Sequence, residues 1–285
     1  MIEINIIKTQ RALSKTQISL ADFVLNPYRG CSLGCKYCYS QENKNIVKRK
    51  KEWGSFLDIK INFPEKLKEE LKKTKPKRVI LGTTTECFQP QEEKFKITEK
   101  ILKILKEETI PIIILTKSSL IQKYIDYLNY HPQNKVYFSL IFSNKKIRTV
   151  LEERTANLQE RIDTIEKLLK KNIQVKIHIG PFIPFLEDLK NLFKLIPPQI
   201  KEVEIEIYNA KVGNFEEIIK SIEKNISEEI AKKIKEVYSE EKNYLAFSKG
   251  LIKEAKRLNK DYNFQLNFIV PQFNFWYTNK IVYEP

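Results

Sequence analysis

The sequence predicts an α/β fold, a partial (β/α)6-type TIM barrel with parallel strands, a helical insertion and an aromatic-rich C-terminal extension. Two observations carry this expectation. Short apolar, β-rich runs alternate along the chain with Lys/Glu-rich segments of helical period. Strand followed by helix, repeated, is the signature of βαβ units and a parallel sheet. Six or seven such units in 285 residues suit a full or partial barrel, in which chemistry sits at the C-terminal ends of the strands.

Taken in order, the expected strands are 23–25, 78–81, 112–115, 136–141, 175–179, 203–207 and 264–270. Amphipathic helices are expected at 94–107, 120–129, 158–171 and 187–195. Helix stops and turns fall between them at Lys171-Asn172, Pro197-Pro198 and Asn259-Lys260. Residues 1–208 read as the barrel core and 209–245 as a helical insertion with an apolar stripe at Phe215, Ile218, Ile219 and Ile222. Residues 246–285 read as a last helix, a strand and a C-terminal extension packed on the core. The tail is dense in aromatics: Tyr262, Phe264, Phe268, Phe273, Phe275, Trp276, Tyr277 and Tyr283. These rings suit either strand packing or the stacking of an exposed base.

Hydrophobic residues make up 42% of the chain, enough for a sizeable core, yet no run reaches the apolar length of a membrane span. The opening residues lack a basic region followed by an apolar stretch, so a cytoplasmic location and no membrane partner are expected. The formal net charge is +15. Residues 44–78 carry 13 Lys and Arg against 5 Asp and Glu, more than half the excess. That window is either a solvated surface or a face that attracts phosphate and hence nucleic acid.

The four cysteines are Cys31, Cys35, Cys38 and Cys87, three of them within eight residues. Neither the pairing nor the context of a disulfide framework is present, so a metal or cluster is the expected use. The segment 26–39, NPYRGCSLGCKYCY, follows the first strand and precedes a helical stretch, which puts it on a βα loop. Gly30 and Gly34 relieve steric limits where this loop must wrap closely. A cubane iron–sulfur cluster takes four thiolates; three leave one iron open for a cofactor or substrate. A zinc site completed by Cys87 or a histidine is the alternative, but it would want a second CxxC-like half.

CSLGCKYCY matches the CxxxCxxC motif of the radical S-adenosylmethionine superfamily. Together with GTTTECFQPQE, LTKS, FSLI, ERTANLQERI and IHIGPFIP, it resembles more narrowly the spore photoproduct lyase-like group, often labelled DNA repair photolyase-like. The resemblance covers about residues 20–190. It implies a lyase or transferase that cleaves S-adenosylmethionine at a 4Fe-4S cluster to a hydrogen-abstracting 5′-deoxyadenosyl radical. A reductant such as ferredoxin or flavodoxin is implied as partner. Cys31, Cys35 and Cys38 map onto the cluster ligands, and Tyr37 onto the aromatic near the adenine. Thr84, Thr85 and Glu86 resemble the contact to the methionine amino group, Lys117 the carboxylate contact, and Ser139 the ribose contact. His178 stands on a strand that borders the adenine, as a proton handler or as a structural histidine. Spore photoproduct lyase has a hydrogen-donating cysteine in the region of Cys87; aligned through Pro90, Cys87 stands one residue off it. Cys87 is therefore a candidate hydrogen donor, and the neighbouring Gln89-Pro90-Gln91-Glu92 resembles a stretch that meets substrate. The same radical chemistry on a small molecule or protein, and a non-catalytic cluster- or nucleic-acid-binding module, are the alternatives.

Overall fold

A computed structural model describes residues 2–212, 214–274 and 281–282. Along the chain the strands are β1 (Glu3–Ile7), β2 (Ser14–Lys15), β3 (Phe23–Leu25), β4 (Tyr28–Gly30), β5 (Phe56–Lys60), β6 (Val79–Leu81), β7 (Ile112–Thr116), β8 (Lys135–Ser139), β9 (Gln174–Phe182), β10 (Glu202–Ile207), β11 (Gln265–Ile269) and β12 (Ile281–Val282). The α-helices are α1 (Lys44–Val47), α2 (Phe63–Leu71), α3 (Glu92–Phe95), α4 (Ile97–Glu107), α5 (Lys145–Leu151), α6 (Leu158–Lys170), α7 (Leu189–Leu195), α8 (Phe215–Asn225), α9 (Glu228–Ser239) and α10 (Glu241–Leu258).

The chain divides into two compact units, the first made of Met1–Gly34, Asn43–Phe138 and Thr155–Val175. Here β3, β6, β7 and β8 pair in parallel, with β2 antiparallel on the β3 edge. The central runs Val79–Leu81 and Ile112–Ile114 are buried on both faces, as a parallel strand covered on each side requires. A smaller sheet, β1-β5-β4, shares this unit. Its buried Asp58 holds Arg29 at 2.6 Å and Arg49 at 3.0 Å, so part of the basic window is tied up in structure.

The second unit comprises Cys35–Glu42, Ser139–Arg154 and Lys176–Pro285. There β9, β10 and β11 pair in parallel and β12 closes antiparallel on β11. Strict alternation on β10 buries Val203, Ile205 and Ile207 on one face and turns Glu202, Glu204 and Glu206 to the other. Residues 215–258 form three successive helices; α8 buries Ile218, Ile219 and Ile222, and Ser227 caps α9.

Three expectations shift. The helix expected at 94–107 breaks at Lys96, whose φ is +52°, into α3 and α4. The Glu92 carboxylate accepts the N–H of Glu99 at 3.0 Å, so α4 gets a side-chain cap from the preceding helix. Residues Ser119–Tyr127 are a 3₁₀ segment and not an α-helix; Ile121, Tyr124, Ile125 and Tyr127 are weak α-formers. In the tail, Phe264 and Phe268 are buried, and Phe193 packs edge-on against Tyr262 and Phe264. These rings serve the strand. Phe275, Trp276, Tyr277 and Tyr283 lie outside the described residues.

Candidate functional site

The cysteine loop leaves β4 through Gly30, whose φ is +85°. A Cβ there would meet the Phe56 carbonyl at 2.6 Å, so only glycine fits this close approach. Cys31 and Cys35 are buried and Cys38 is half-buried. Within the first unit, Thr85 Oγ1 donates to the Gly30 carbonyl at 2.7 Å. Gln89, fully buried, accepts the Ser32 N–H on its Oε1 at 2.9 Å. Two buried donors at this contact, Ser32 Oγ and Gln89 Nε2, have no hydrogen-bond partner among the described residues.

Orphaned buried donors of this kind need an acceptor. A thiolate-bound cluster offers sulfur acceptors, and hydrogen bonds to its sulfurs tune its potential. Among the described residues, no three His, Cys, Asp or Glu side chains are grouped as a single-ion site. A cubane does not ask for that grouping, since each thiolate binds a different iron. The unsatisfied donors next to Cys31 in the first unit therefore fit the sulfur acceptors of a thiolate-bound cluster.

Asn26, at the end of β3, ties the neighbouring strand ends together. Its Nδ2 donates to Thr83 Oγ1 at 2.9 Å and its Oδ1 accepts the Thr84 N–H at 3.0 Å. The Glu86 carboxylate accepts Thr116 Oγ1–H and the Phe88 N–H, each at 2.9 Å, and the Lys117 N–H at 3.0 Å. Burial raises the Glu86 carboxyl, and these hydrogen bonds oppose the rise. Thr84, Thr85, Glu86 and Lys117 thus come together at the tips of β6 and β7. Cys87 is completely buried beside them. Burial, then the charges of Glu86, Glu92 and Cys31, push its thiol well up, so it carries its proton. Lys60 donates to the Asn26 carbonyl at 2.6 Å; burial and the Arg29 charge bring its ammonium down to about 8. In the Gln89-Pro90-Gln91-Glu92 stretch, the Tyr28 hydroxyl donates to the buried Glu92 carboxylate. Gln89 and Glu92 therefore brace the cysteine loop and α4.

In the second unit, the buried Tyr37 donates its hydroxyl to Glu152, just past α5, and meets Phe142 edge-on at 6.1 Å. The Lys36 N–H bonds the Leu151 carbonyl at 3.0 Å, and Lys36 Nζ donates to Ser221 Oγ at 2.8 Å. Ser139 is half-buried at the end of β8. His178, on β9, lies between two carboxylates of β10: Nδ1 is 3.0 Å from Glu204 and Nε2 is 3.4 Å from Glu206. Lys176 sits on the other oxygen of Glu204 at 2.8 Å. Burial would depress the imidazole, but the two glutamates outweigh it and push it up to about 9. Glu204, which burial would raise, is held down at about 2 by His178 and Lys176.

Sequence reasoning named His178 but missed Asn26, Gln89 as loop support, Glu152, Glu204 and Glu206. The only local signal was that Asn26 and Gln89 fall inside the quoted NPYRGC and QPQE runs.

A sequence model described as the radical SAM superfamily matches residues 25–196. An uncharacterised protein of Methanocaldococcus jannaschii is 28% identical over 212 residues, 74% of this chain and 80% of that protein. An uncharacterised protein of Mycobacterium bovis is 25% identical over 173 residues, 58% of this chain and 51% of its own length. Among solved structures, spore photoproduct lyase complexed with dinucleoside spore photoproduct aligns with a TM-score of 0.67, covering 94% of this chain and 81% of that one at 12% identity. A spore photoproduct lyase variant with bound AdoMet and the dinucleoside aligns at 0.62, with the same 12% identity and the same coverage of the two chains. At that identity the likeness is one of fold, the α/β fold of partial TIM barrels.

Proposed function

This chain belongs to the radical S-adenosylmethionine (radical SAM) superfamily, and from that premise we propose that it abstracts hydrogen from a nucleic-acid substrate, in repair or in modification of a base. Radical SAM proteins are enzymes that use a 4Fe-4S cluster and S-adenosylmethionine and need a reductant, for which ferredoxin or flavodoxin is our candidate. When bound, the reduced cluster supplies the electron that cleaves S-adenosylmethionine to a hydrogen-abstracting 5′-deoxyadenosyl radical.

The chain's own residues divide the remaining work. Cys31, Cys35 and Cys38 would hold the cluster, with Ser32 Oγ and Gln89 Nε2 donating to its sulfurs. Lys117, its backbone clamped by Glu86, would meet the methionine carboxylate as a compact cation. Thr84, Thr85 and Glu86 would face the amino group, Tyr37 the adenine and Ser139 the ribose. Cys87, protonated and shielded from water, has the weak S–H bond of a hydrogen donor.

The single observation behind a nucleic-acid substrate is the exposed lysine surface of the first unit. Lys44, Lys48 and Lys50 are exposed on and after α1, and Lys68, Lys72, Lys73, Lys75 and Lys77 on and after α2. Such charges bind phosphate by releasing counterions, so affinity falls steeply with salt. Anaerobic fluorescence anisotropy with labelled single- and double-stranded oligonucleotides tests this. Binding that weakens on a log–log salt plot, with a shallower slope in Lys48→Glu/Lys50→Glu, is expected. Salt-independent binding, or none, would return the substrate to a small molecule or protein.

A further inference from the structure

The β9–β10–β11 sheet of the second unit has one apolar face and one charged face. Ile177, Ile179, Val203, Ile205, Leu266 and Phe268 are buried on the first. Strand register aligns His178 with Glu204, and Glu204 with Asn267, on the other. The buried faces of parallel strands are ordinarily filled by Val, Ile and Leu. Here the side chains of Lys176, Glu204 and His178 are only 5%, 12% and 20% exposed. Burying so many charges is costly even when they are paired, and breaches of the apolar-core rule concentrate at functional sites.

The charges form one line up the strands: Lys176, Glu204, His178, Glu206. Gly180 makes room for it. A Cβ at that position would fall 2.3 Å from His178 Nε2 and 2.9 Å from Glu206 Cβ. The imidazole lies over the glycine and reaches Glu206 at the C-terminal end of β10, where a barrel's chemistry sits. Glu206 is the open end of the line, with its side chain 32% exposed. His178 meets its Oε2 at 3.4 Å. Two phenols of the same unit, Tyr39, which follows Cys38, and Tyr244, lie within electrostatic reach of it.

We propose that Glu206, oriented by His178, is a substrate-anchoring carboxylate that accepts hydrogen bonds from the amino-bearing edge of a nucleobase. An ionised carboxylate only accepts, so it selects N–H donors and repels phosphate. Guanine, cytosine and adenine offer an exocyclic amine, the kind of group a carboxylate accepts from in base readout. Thymine flanks its single N–H with two acceptors, which a carboxylate repels. His178 is a positioning residue that fixes the rotamer of Glu206, and Lys176–Glu204 fixes His178.

This rests on the nucleic-acid reading above, and the test separates the two. Reconstituted enzyme with S-adenosylmethionine is labelled with [15N]histidine, which reports on two residues, His131 and His178. It is titrated with the 5′-monophosphates of deoxyguanosine, deoxycytidine, deoxyadenosine and thymidine. At least one amino-bearing nucleotide is expected to shift the His178 imidazole signals and to bind about tenfold or more tightly than the thymidine nucleotide. Glu206→Gln should remove that preference, Glu206→Asp should keep part of it, and His178→Gln should weaken binding while keeping the order of preference. Equal response to thymidine monophosphate, or unchanged preference in Glu206→Gln, would overturn the assignment. If no nucleotide moves His178 while oligonucleotides still bind in a salt-sensitive way, Glu206 loses this role and the nucleic-acid reading stands. If oligonucleotides fail as well, both fall.

Discussion

The Gln89 side chain holds the backbone N–H of Ser32 at 2.9 Å, one residue past Cys31, and leaves its own amide nitrogen buried without a partner among the described residues. Donors near cluster sulfurs favour the more negative, reduced state. Gln89→Leu removes the donor and strands the Ser32 N–H. A hydrogen bond of about 1 kcal/mol corresponds to roughly 40 mV for one electron. Redox titration followed by EPR should show the Gln89→Leu midpoint lowered by about that amount. An unchanged midpoint would mean that the amide faces away from the cluster.

Glu86 joins β6 to β7 through three protein donors. Glu86→Gln replaces one acceptor oxygen with an amide NH2 that faces a donor. The loss should be about 1–3 kcal/mol, read as a fall in Tm of roughly 2–4 °C per kcal/mol for a chain of this size. S-adenosylmethionine affinity should fall too, because the Lys117 backbone is released. A normal Tm with lost affinity would instead make Glu86 a direct contact alone.

Gly180→Ala places a methyl group 2.3 Å from His178 Nε2. The imidazole must leave Glu206 or the strand must shift, at a cost of about 1–3 kcal/mol. Urea unfolding should show the loss, and the His178 NMR signals should move towards a singly bonded ring. Wild-type stability and an unmoved His178 would contradict the packing described.

The His178 line also shapes stability against pH. His178 is raised to about 9 by Glu204 and Glu206. Its contribution is therefore full below the ordinary histidine value of about 6.5 and is lost as pH climbs through about 9. Glu204, held at about 2, contributes above the ordinary carboxylate value of about 4.3 and loses that contribution as pH falls through about 2. Between pH 6.5 and 9.5, Tm should drop more in the wild type than in Glu204→Gln. Parallel curves would show that the pair adds nothing to folding.

The parallel strands β3 and β6 to β11 and the cysteine spacing are legible because their signals are local, whereas the small β1-β5-β4 sheet and the edge strands β2 and β12 are not among the expected strands. Apolar runs such as 79–81 and 112–114 and the spacing of Cys31, Cys35 and Cys38 can be read within ten residues. The bracing groups were not. Gln89 meets Ser32 across 57 positions and Asn26 meets Thr83 across the same span. The facing of His178 and Glu204, 26 residues apart, depends on strand register, which periodicity does not fix. The break at Lys96 was equally hidden, since it depends on the Glu92 carboxylate reaching the Glu99 N–H. In sequence, Phe264 and Phe268 fit a base platform as well as a core; in the fold Phe193 packs against the first and both are buried.

The most direct test of radical chemistry at Cys31, Cys35 and Cys38 is the formation of 5′-deoxyadenosine. Protein reconstituted anaerobically with iron and sulfide is given dithionite and S-adenosylmethionine, and the product is followed by chromatography. Formation in the wild type that vanishes in Cys31→Ala is the expected result. No 5′-deoxyadenosine from protein that has taken up its full iron and sulfide, or equal amounts in wild type and Cys31→Ala, would contradict it.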